Sequence, residues 1–213
     1  MKRRDFIRYT AVGLGALSLA PTMSLAAAGG RKRVVVVGGG FGGMTAARYL
    51  KRLNPAIEVV LIERNEKFIS CPISNWVMVG KWPISDISFS YERFAGQGIK
   101  VVRDEIIGLD AAAGYVQGKA GRYAYDRLVV SPGVDFRDEL IEGYDQRAKA
   151  AFPHAWHAGP QTLQLQQELA ALPAGGTVMM TVPASPYRCP PGPYERASMI
   201  ADYLRLNKPG ARL

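Results

Sequence analysis

The stretch from Arg33 to Glu63 constrains this chain more tightly than any other. Residues Arg33 to Val37 read RVVVV, a continuous apolar run of the kind buried on both faces of a parallel sheet. Gly38, Gly40 and Gly43 follow within GGGFGG and fit G-x-G-x-x-G. The next residues, MTAARYLKRL, carry a helical pattern that stops before Asn54-Pro55. A second strand, Glu58 to Ile62, ends at Glu63, twenty residues after Gly43. A glycine-rich turn alone is a weak signal. Strand, glycines, helix, strand and acid at this spacing form the βαβ unit that cradles a dinucleotide. The glycines permit a tight turn and close approach of a pyrophosphate, whose charge the helix N-terminus stabilises. Glu63 is placed to accept hydrogen bonds from a ribose diol. The expected class is therefore α/β, opening on a Rossmann-like domain.

Later segments bear on which dinucleotide. Ile99 to Val102 predicts a third parallel strand, and Tyr115–Gln117 with Arg122–Ala124 predicts a β-hairpin or meander crossover. The segment Tyr125 to Gly133, YDRLVVSPG, resembles the Y-D-x-L-v-x-A-t-G signature of flavoproteins with two dinucleotide-binding domains. In that superfamily the strand and its end, here Ser131 and Gly133, pass close to FAD. The backbone near Ile106 commonly meets the adenine there, although core packing serves that side chain equally well. Strand, hairpin and signature together favour FAD over NAD for this domain.

The chain begins MKRRDFIRYTAVGLGALSLAPTMSLAAAGG, with four basic residues before an apolar run and Ala26-Ala27-Ala28 fitting a cleavage site. Arg3-Arg4 followed by Asp5, Phe6 and Ile7 resembles the bacterial twin-arginine signal, which exports proteins already folded around a cofactor. An ordinary secretory signal or an uncleaved anchor is the alternative. The expectation is a signal peptide over residues 1–28 and a periplasmic protein, with no membrane span in the mature chain. Composition matters here because a net charge of +9 raises nucleic acid as a partner. Without residues 1–28, 23 basic and 17 acidic residues remain, a net +6 with no long basic run. Nucleic acid is set aside on that ground.

Two cysteines remain, Cys71 in FISCPISNW and Cys189 in SPYRCPPGPYERA. Counting alone favours one disulfide between them in an exported protein. Position argues otherwise: Cys71 follows the acid-bearing strand, and Cys189 opens what should be a second nucleotide-binding unit after a strand over Gly176 to Val182. Across essentially the whole mature chain the sequence resembles the flavoprotein subunit of flavocytochrome c sulfide dehydrogenase. VVVVGGGFGGMTAARYL, FISCPISN, YDRLVVSPG, IEGY, FPHAWHAGPQT and above all YRCPPGPYERASMIADYL carry that likeness.

The resemblance implies that Cys71 is joined through sulfur to FAD and that Cys189 is half of a redox-active disulfide. The other half would lie beyond Leu213. It further implies sulfide as substrate and a c-type cytochrome subunit as partner; no C-x-x-C-H for haem occurs here. Glu195, six residues after Cys189, is either a proton carrier beside the disulfide or a helix-start carboxylate. Pro190, Pro191 and Pro193 stand where a second glycine motif would bind phosphate, and proline lacks the N–H that would do so. That disfavours an NADH-dependent disulfide reductase. A sulfide:quinone enzyme and a non-catalytic flavin-binding accessory protein of sulfur oxidation are the other readings.

Some residues fit blander roles. His154 and His157 lack a third ligand, so no metal site is expected. Trp76, Trp82, Tyr91 and Phe94 read as core, with a docking surface as the alternative. Leu163 to Leu172 is an amphipathic helix. The expected organisation is an FAD-binding domain over 29–145 and the beginning of a second, incomplete Rossmann-like domain over 146–213. On this reading the sequence is about half of a longer enzyme.

Overall fold

The structure, a computed structural model, describes residues 31–213. The expected signal segment lies outside them. Contacts divide the chain into two units: residues 31–68 with Ser90–Asp135, and Ile69–Phe89 with Phe136–Leu213. The contacts put the Cys71 segment in the second unit.

The first unit is built on a parallel sheet of β1 (Arg33–Val37), β2 (Glu58–Glu63), β5 (Ile99–Arg103) and β9 (Arg127–Val130), in the order β5-β2-β1-β9. Val35 pairs with Val60 on one side and Leu128 on the other, so β1 is central. Its valines alternate between two cores, as the period of two requires. Val34 and Val36 pack with Val59, Leu61 and Ala47, the last on helix α1 (Phe41–Leu53). Val35 packs with Val60, Ile62 and Val116 on the opposite face. Val116 belongs to an antiparallel meander of β6 (Ile106–Asp110), β7 (Tyr115–Gly118) and β8 (Arg122–Ala124). The continuous valine run is thus covered by a helix on one face and a meander on the other. Asp126 fixes the sheet's start by accepting from the Arg33 N–H at 2.7 Å.

Helix α1 begins at Phe41, three residues before the sequence pattern suggested, because Gly40 in extended conformation serves as its N-cap. Short strands β3 (Lys67–Ile69) and β4 (Ser88–Ser90) form a small ladder, and α3 (Glu92–Ala95) precedes β5.

The second unit is mainly helical. Helix α2 (Ser74–Met78), α5 (Pro160–Ala171) and α6 (Gly192–Asn207) enclose a core of Met78, Val79, Leu169, Ile200 and Leu204, with short α4 (Gln146–Ala151) alongside in sequence. The Gln166 side chain donates to the Val77 carbonyl at 2.9 Å. The strand expected over Gly176 to Val182 is reduced to one parallel bridge, Thr177 to Arg212. A buried parallel strand needs neighbours along its length. Here the described residues supply one short segment, and Met179 is 84% exposed.

One buried carboxylate stabilises the meander. Asp104 accepts from the Tyr123 hydroxyl at 2.7 Å and from the N–H groups of Glu105 and Ala120. Burial pushes its carboxyl up, but the Tyr123 bond and the backbone N–H groups of Ala120, Glu105 and Lys119 outweigh it and hold the group below the usual carboxylate range. Asp104→Asn turns one acceptor into a donor facing donors and is expected to cost about 2 kcal/mol at neutral pH. Because the folded-state value is depressed, this stabilisation is present above the ordinary carboxylate pKa and fades as pH falls through the folded-state value. Urea unfolding at about pH 7 should separate the two chains, and the gap should narrow as the pH falls below the ordinary carboxylate range.

Candidate functional site

Each glycine of the motif has its own task in the first unit. Gly38 has φ +98, and a Cβ there would lie 2.1 Å from the Ser131 carbonyl oxygen. A Cβ on Gly43 would meet the Gly38 carbonyl oxygen at 1.8 Å, so glycine alone lets α1 seat this closely on the end of β1. Gly40 is different: nothing lies within 4 Å of its Cβ position. It leaves open room beside the first turn of α1, where N–H groups have no partner within the helix. That turn carries no acid, while Lys51 and Arg52 occupy the last turn. The dipole and the free donors therefore both favour an anion beside Gly40.

The loop is pinned beneath. Tyr91, buried, donates its hydroxyl to the Gly39 carbonyl at 2.9 Å, and the Gly39 N–H donates to Glu63 at 2.6 Å. Burial, with the Glu63 charge second, raises the Tyr91 hydroxyl well above its usual pKa, so it stays a donor. The other Glu63 oxygen accepts from the Asn65 N–H at 2.8 Å and its side chain at 2.6 Å. Each carboxylate oxygen has more than one lone pair, so Glu63 keeps capacity for a further donor. Ser131 follows β9, its N–H bonded to the Val37 carbonyl at 2.8 Å, and Gly133 has φ +76. The Ile106 side chain packs against the core of Val35, Val60, Ile62 and Val116. These residues fit a dinucleotide: the space at Gly40 is one a Cβ would fill, and the donors around it suit a pyrophosphate.

The cysteines both lie in the second unit, exposed and not bonded to each other. Cys71 leads into α2 through Ile73 at φ 75, and its Sγ–H points to the Trp156 carbonyl at 3.5 Å. Cys189 itself has φ 61 and precedes α6. Gly192 is buried because a Cβ there would meet the Trp156 ring at 2.7 Å and the Cys189 Sγ at 3.3 Å. Glu195 stands exposed in the first turn of α6. The N-terminus of α6 contrasts with that of α1: the Gly192 N–H is bonded to the Cys189 carbonyl, Pro193 has none, and the Glu195 N–H is bonded to the Pro191 carbonyl.

Sequence reasoning missed two residues here, Arg196 and the Trp156 it packs on. Arg196, 8% exposed, donates to Asn75 Oδ1 at 3.1 Å, to the Ala155 carbonyl at 3.0 Å and to the His154 carbonyl. Its guanidinium lies 4.8 Å from the centre of the Trp156 ring. Burial lowers its pKa, against the opposing Glu195 charge. The only signal available was an arginine on the inward face of α6, one turn before Ile200. His154 and His157 both pack on Phe136, and His154 Nδ1 accepts from the Trp156 N–H at 3.1 Å. Among the aromatics, Tyr91 and Phe94 join the first unit's core, while Trp76 and Trp82 stay about 40% exposed and meet edge to face.

A parallel sheet, a meander and a pinned glycine loop define a class. Residues 32–170 match the family model described as pyridine nucleotide-disulphide oxidoreductase. Residues 162–213 match the model of the sulfide dehydrogenase (flavocytochrome c) flavoprotein chain, central region. The chain is 58% identical over 38 residues to the flavoprotein chain of that name from Chlorobaculum thiosulfatiphilum, covering 18% of this chain and 79% of the relative. It belongs to the flavocytochrome c sulfide dehydrogenase flavoprotein family, within the pyridine nucleotide-disulphide oxidoreductases. The structure resembles the sulfide:quinone oxidoreductase of Aquifex aeolicus, with TM-score 0.64 and 26% identity over 82% of this chain and 40% of that one. It also shares its fold with NDH2 from Plasmodium falciparum, TM-score 0.59 at 16% identity, over 83% of this chain and 38% of that one. This chain thus spans about two fifths of the length of these solved structures.

The glycine geometry separates folding from binding. Gly43→Ala forces α1 off the Gly38 carbonyl and is expected to cost at least about 2 kcal/mol in denaturant unfolding. Gly40→Ala adds a methyl to empty space, so stability should change by less than about 0.5 kcal/mol. The same methyl enters the phosphate room and should weaken dinucleotide binding at least about tenfold, measured by titration.

Proposed function

We propose that this chain is the flavin-binding part of a periplasmic oxidoreductase that takes electrons from sulfide and delivers them to a c-type cytochrome subunit. The observation that carries this reading is the match of residues 162–213, which include Cys189 and Glu195, to the central region of the flavocytochrome c family. The dinucleotide cradle at Gly38, Gly40 and Gly43 supports FAD as the group held. Export through the twin-arginine route is supported by Arg3 and Arg4 in the leader.

In this reading the N–H groups at the start of α1 hold the pyrophosphate and Glu63 takes the ribose. Cys71 supplies the sulfur that binds the cofactor covalently, and its exposure leaves it accessible for that bond. Cys189 forms a disulfide with a cysteine other than Cys71. Hydrosulfide attacks that disulfide: one S–S bond forms as the other breaks, leaving a persulfide on one cysteine and a thiolate on the other. Glu195, on the turn that follows Cys189, takes the released proton. FAD, when bound, accepts an electron pair and releases its electrons singly. The proline-capped start of α6, where the Gly192 N–H is already bonded and Pro193 has none, offers little to a nicotinamide dinucleotide.

The likeness to the Aquifex aeolicus enzyme favours one second reading, with quinone as acceptor. No described helix is long and apolar enough to cross a membrane.

Mass measurement of the denatured mature protein tests the attachment: a gain equal to FAD on the Cys71 peptide is expected, and Cys71→Ser should abolish it. An unmodified Cys71 overturns that assignment. Sulfide should bleach the flavin at least about tenfold faster than NADH, with cytochrome c reoxidising it. Faster bleaching by NADH returns the chain to the pyridine-nucleotide reductases, and reoxidation by quinone alone selects the second reading.

A further inference from the structure

Trp156 is held from four directions. Its N–H donates to His154 Nδ1 at 3.1 Å, and its carbonyl accepts the Cys71 thiol at 3.5 Å. One ring face receives the Arg196 guanidinium, whose three hydrogen bonds go to Asn75, His154 and Ala155. The ring edge fills the space beside Gly192, sharing it with the Cys189 sulfur. Ala155, 2% exposed and at φ 47, turns the chain so that its carbonyl and that of His154 both reach Arg196. The backbone of one residue therefore touches Cys71 while its side chain and the Cys189 sulfur border the same space beside Gly192.

We propose that Trp156, clamped by Arg196, is a positioning residue that keeps Cys71 and Cys189 from pairing with each other. Two exposed cysteines in one small unit are a standing opportunity for a disulfide wherever the surroundings are oxidising. A disulfide needs the two Cβ atoms within a narrow distance and orientation. The indole occupies space at Gly192 that the Cys189 sulfur also borders, and the Trp156 carbonyl gives the Cys71 thiol a competing partner. Arg196 suits the clamp because its planar guanidinium stacks on the ring while its N–H fork satisfies three acceptors, which a lysine cannot do. The inference rests on the proposed function in one respect only: each thiol is thereby reserved for a different partner.

The test uses the full chain from riboflavin-starved cells, so that Cys71 retains its thiol, reduced with dithiothreitol and freed of it so that Cys189 is also a thiol, and then oxidised with diamide. Disulfide formation passes two electrons and two protons from the thiols to diamide, giving the hydrazine. Peptide mapping should find only traces of a Cys71–Cys189 link in the wild type. Trp156→Ala should raise it at least about tenfold, while Trp156→Phe, which restores an aromatic edge, stays near wild type. Trp76→Ala, removing an indole elsewhere in the same unit, should also stay near wild type. A wild type that links as readily as Trp156→Ala overturns the proposal, as does a folded Trp156→Ala chain that does not link.

Gly192→Ala gives a second reading that leaves the indole present. Its methyl presses on both the ring edge and the Cys189 sulfur, so Cys189 alkylation by iodoacetamide should change at least about threefold with Cys71 unaffected. Equal rates for both cysteines before and after the substitution refute the contact. Neither readout depends on flavin attachment, so failure here is distinct from failure of the proposed function.

Discussion

The approach of Gly43 to the Gly38 carbonyl is the contact on which the dinucleotide cradle depends. It sets α1 directly against the end of β1, so the helix axis points at the space beside Gly40. Any side chain at Gly43 would push the helix away and with it the partial positive charge of the helix start that the loop offers an anion. Tyr91 and Glu63 then hold the Gly39 peptide from opposite ends, its carbonyl and its N–H. The loop is thereby preorganised, and a ligand does not have to order it on arrival.

The second unit is organised by a buried cation instead of a close backbone contact. Arg196 has no carboxylate among its hydrogen-bond partners; it draws on two carbonyls, an amide oxygen and an indole face. Burying a charge is costly unless its donors are satisfied, and these partners satisfy them while fixing three separate stretches of chain. The two long helices that begin near the functional residues also differ in chemistry. The start of α1 is open to an anion, whereas α6 starts on prolines with its Gly192 N–H turned back onto the Cys189 carbonyl. One chain thus presents one terminus open to an anion and one terminus shaped around a thiol.

Much of the first unit could be read from the sequence because its constraints are local. Four consecutive valines in β1, glycines at fixed spacing and Glu63 at the end of β2 each follow from short-range geometry, and β2, β5 and the β7–β8 hairpin fall where their patterns put them. The start of α1 was misplaced because glycines hide a first helical turn. The Gly176 to Val182 segment misled because an apolar run signals burial but cannot reveal whether neighbouring strands are there to pair with it. Tyr91, Trp156 and Arg196 were not legible as site residues: their roles come from contacts between segments distant in sequence, such as Tyr91 with Gly39 or Arg196 with Asn75. The glycine motif named a ligand class, and the resemblance around Cys189 named a family. Neither identified what separates the two thiols.

The left-handed backbone at Cys189 has an evolutionary consequence. Residues with a Cβ pay roughly 1 kcal/mol to occupy that region, whereas glycine enters it freely. At φ 61 the chain therefore keeps a sulfur where its own conformational preference would drop the side chain altogether. In a lineage that no longer needed the thiol, drift toward glycine at this position would be rewarded by a more stable protein. Residue 189 is in that sense a built-in record of whether the chemistry is still under selection.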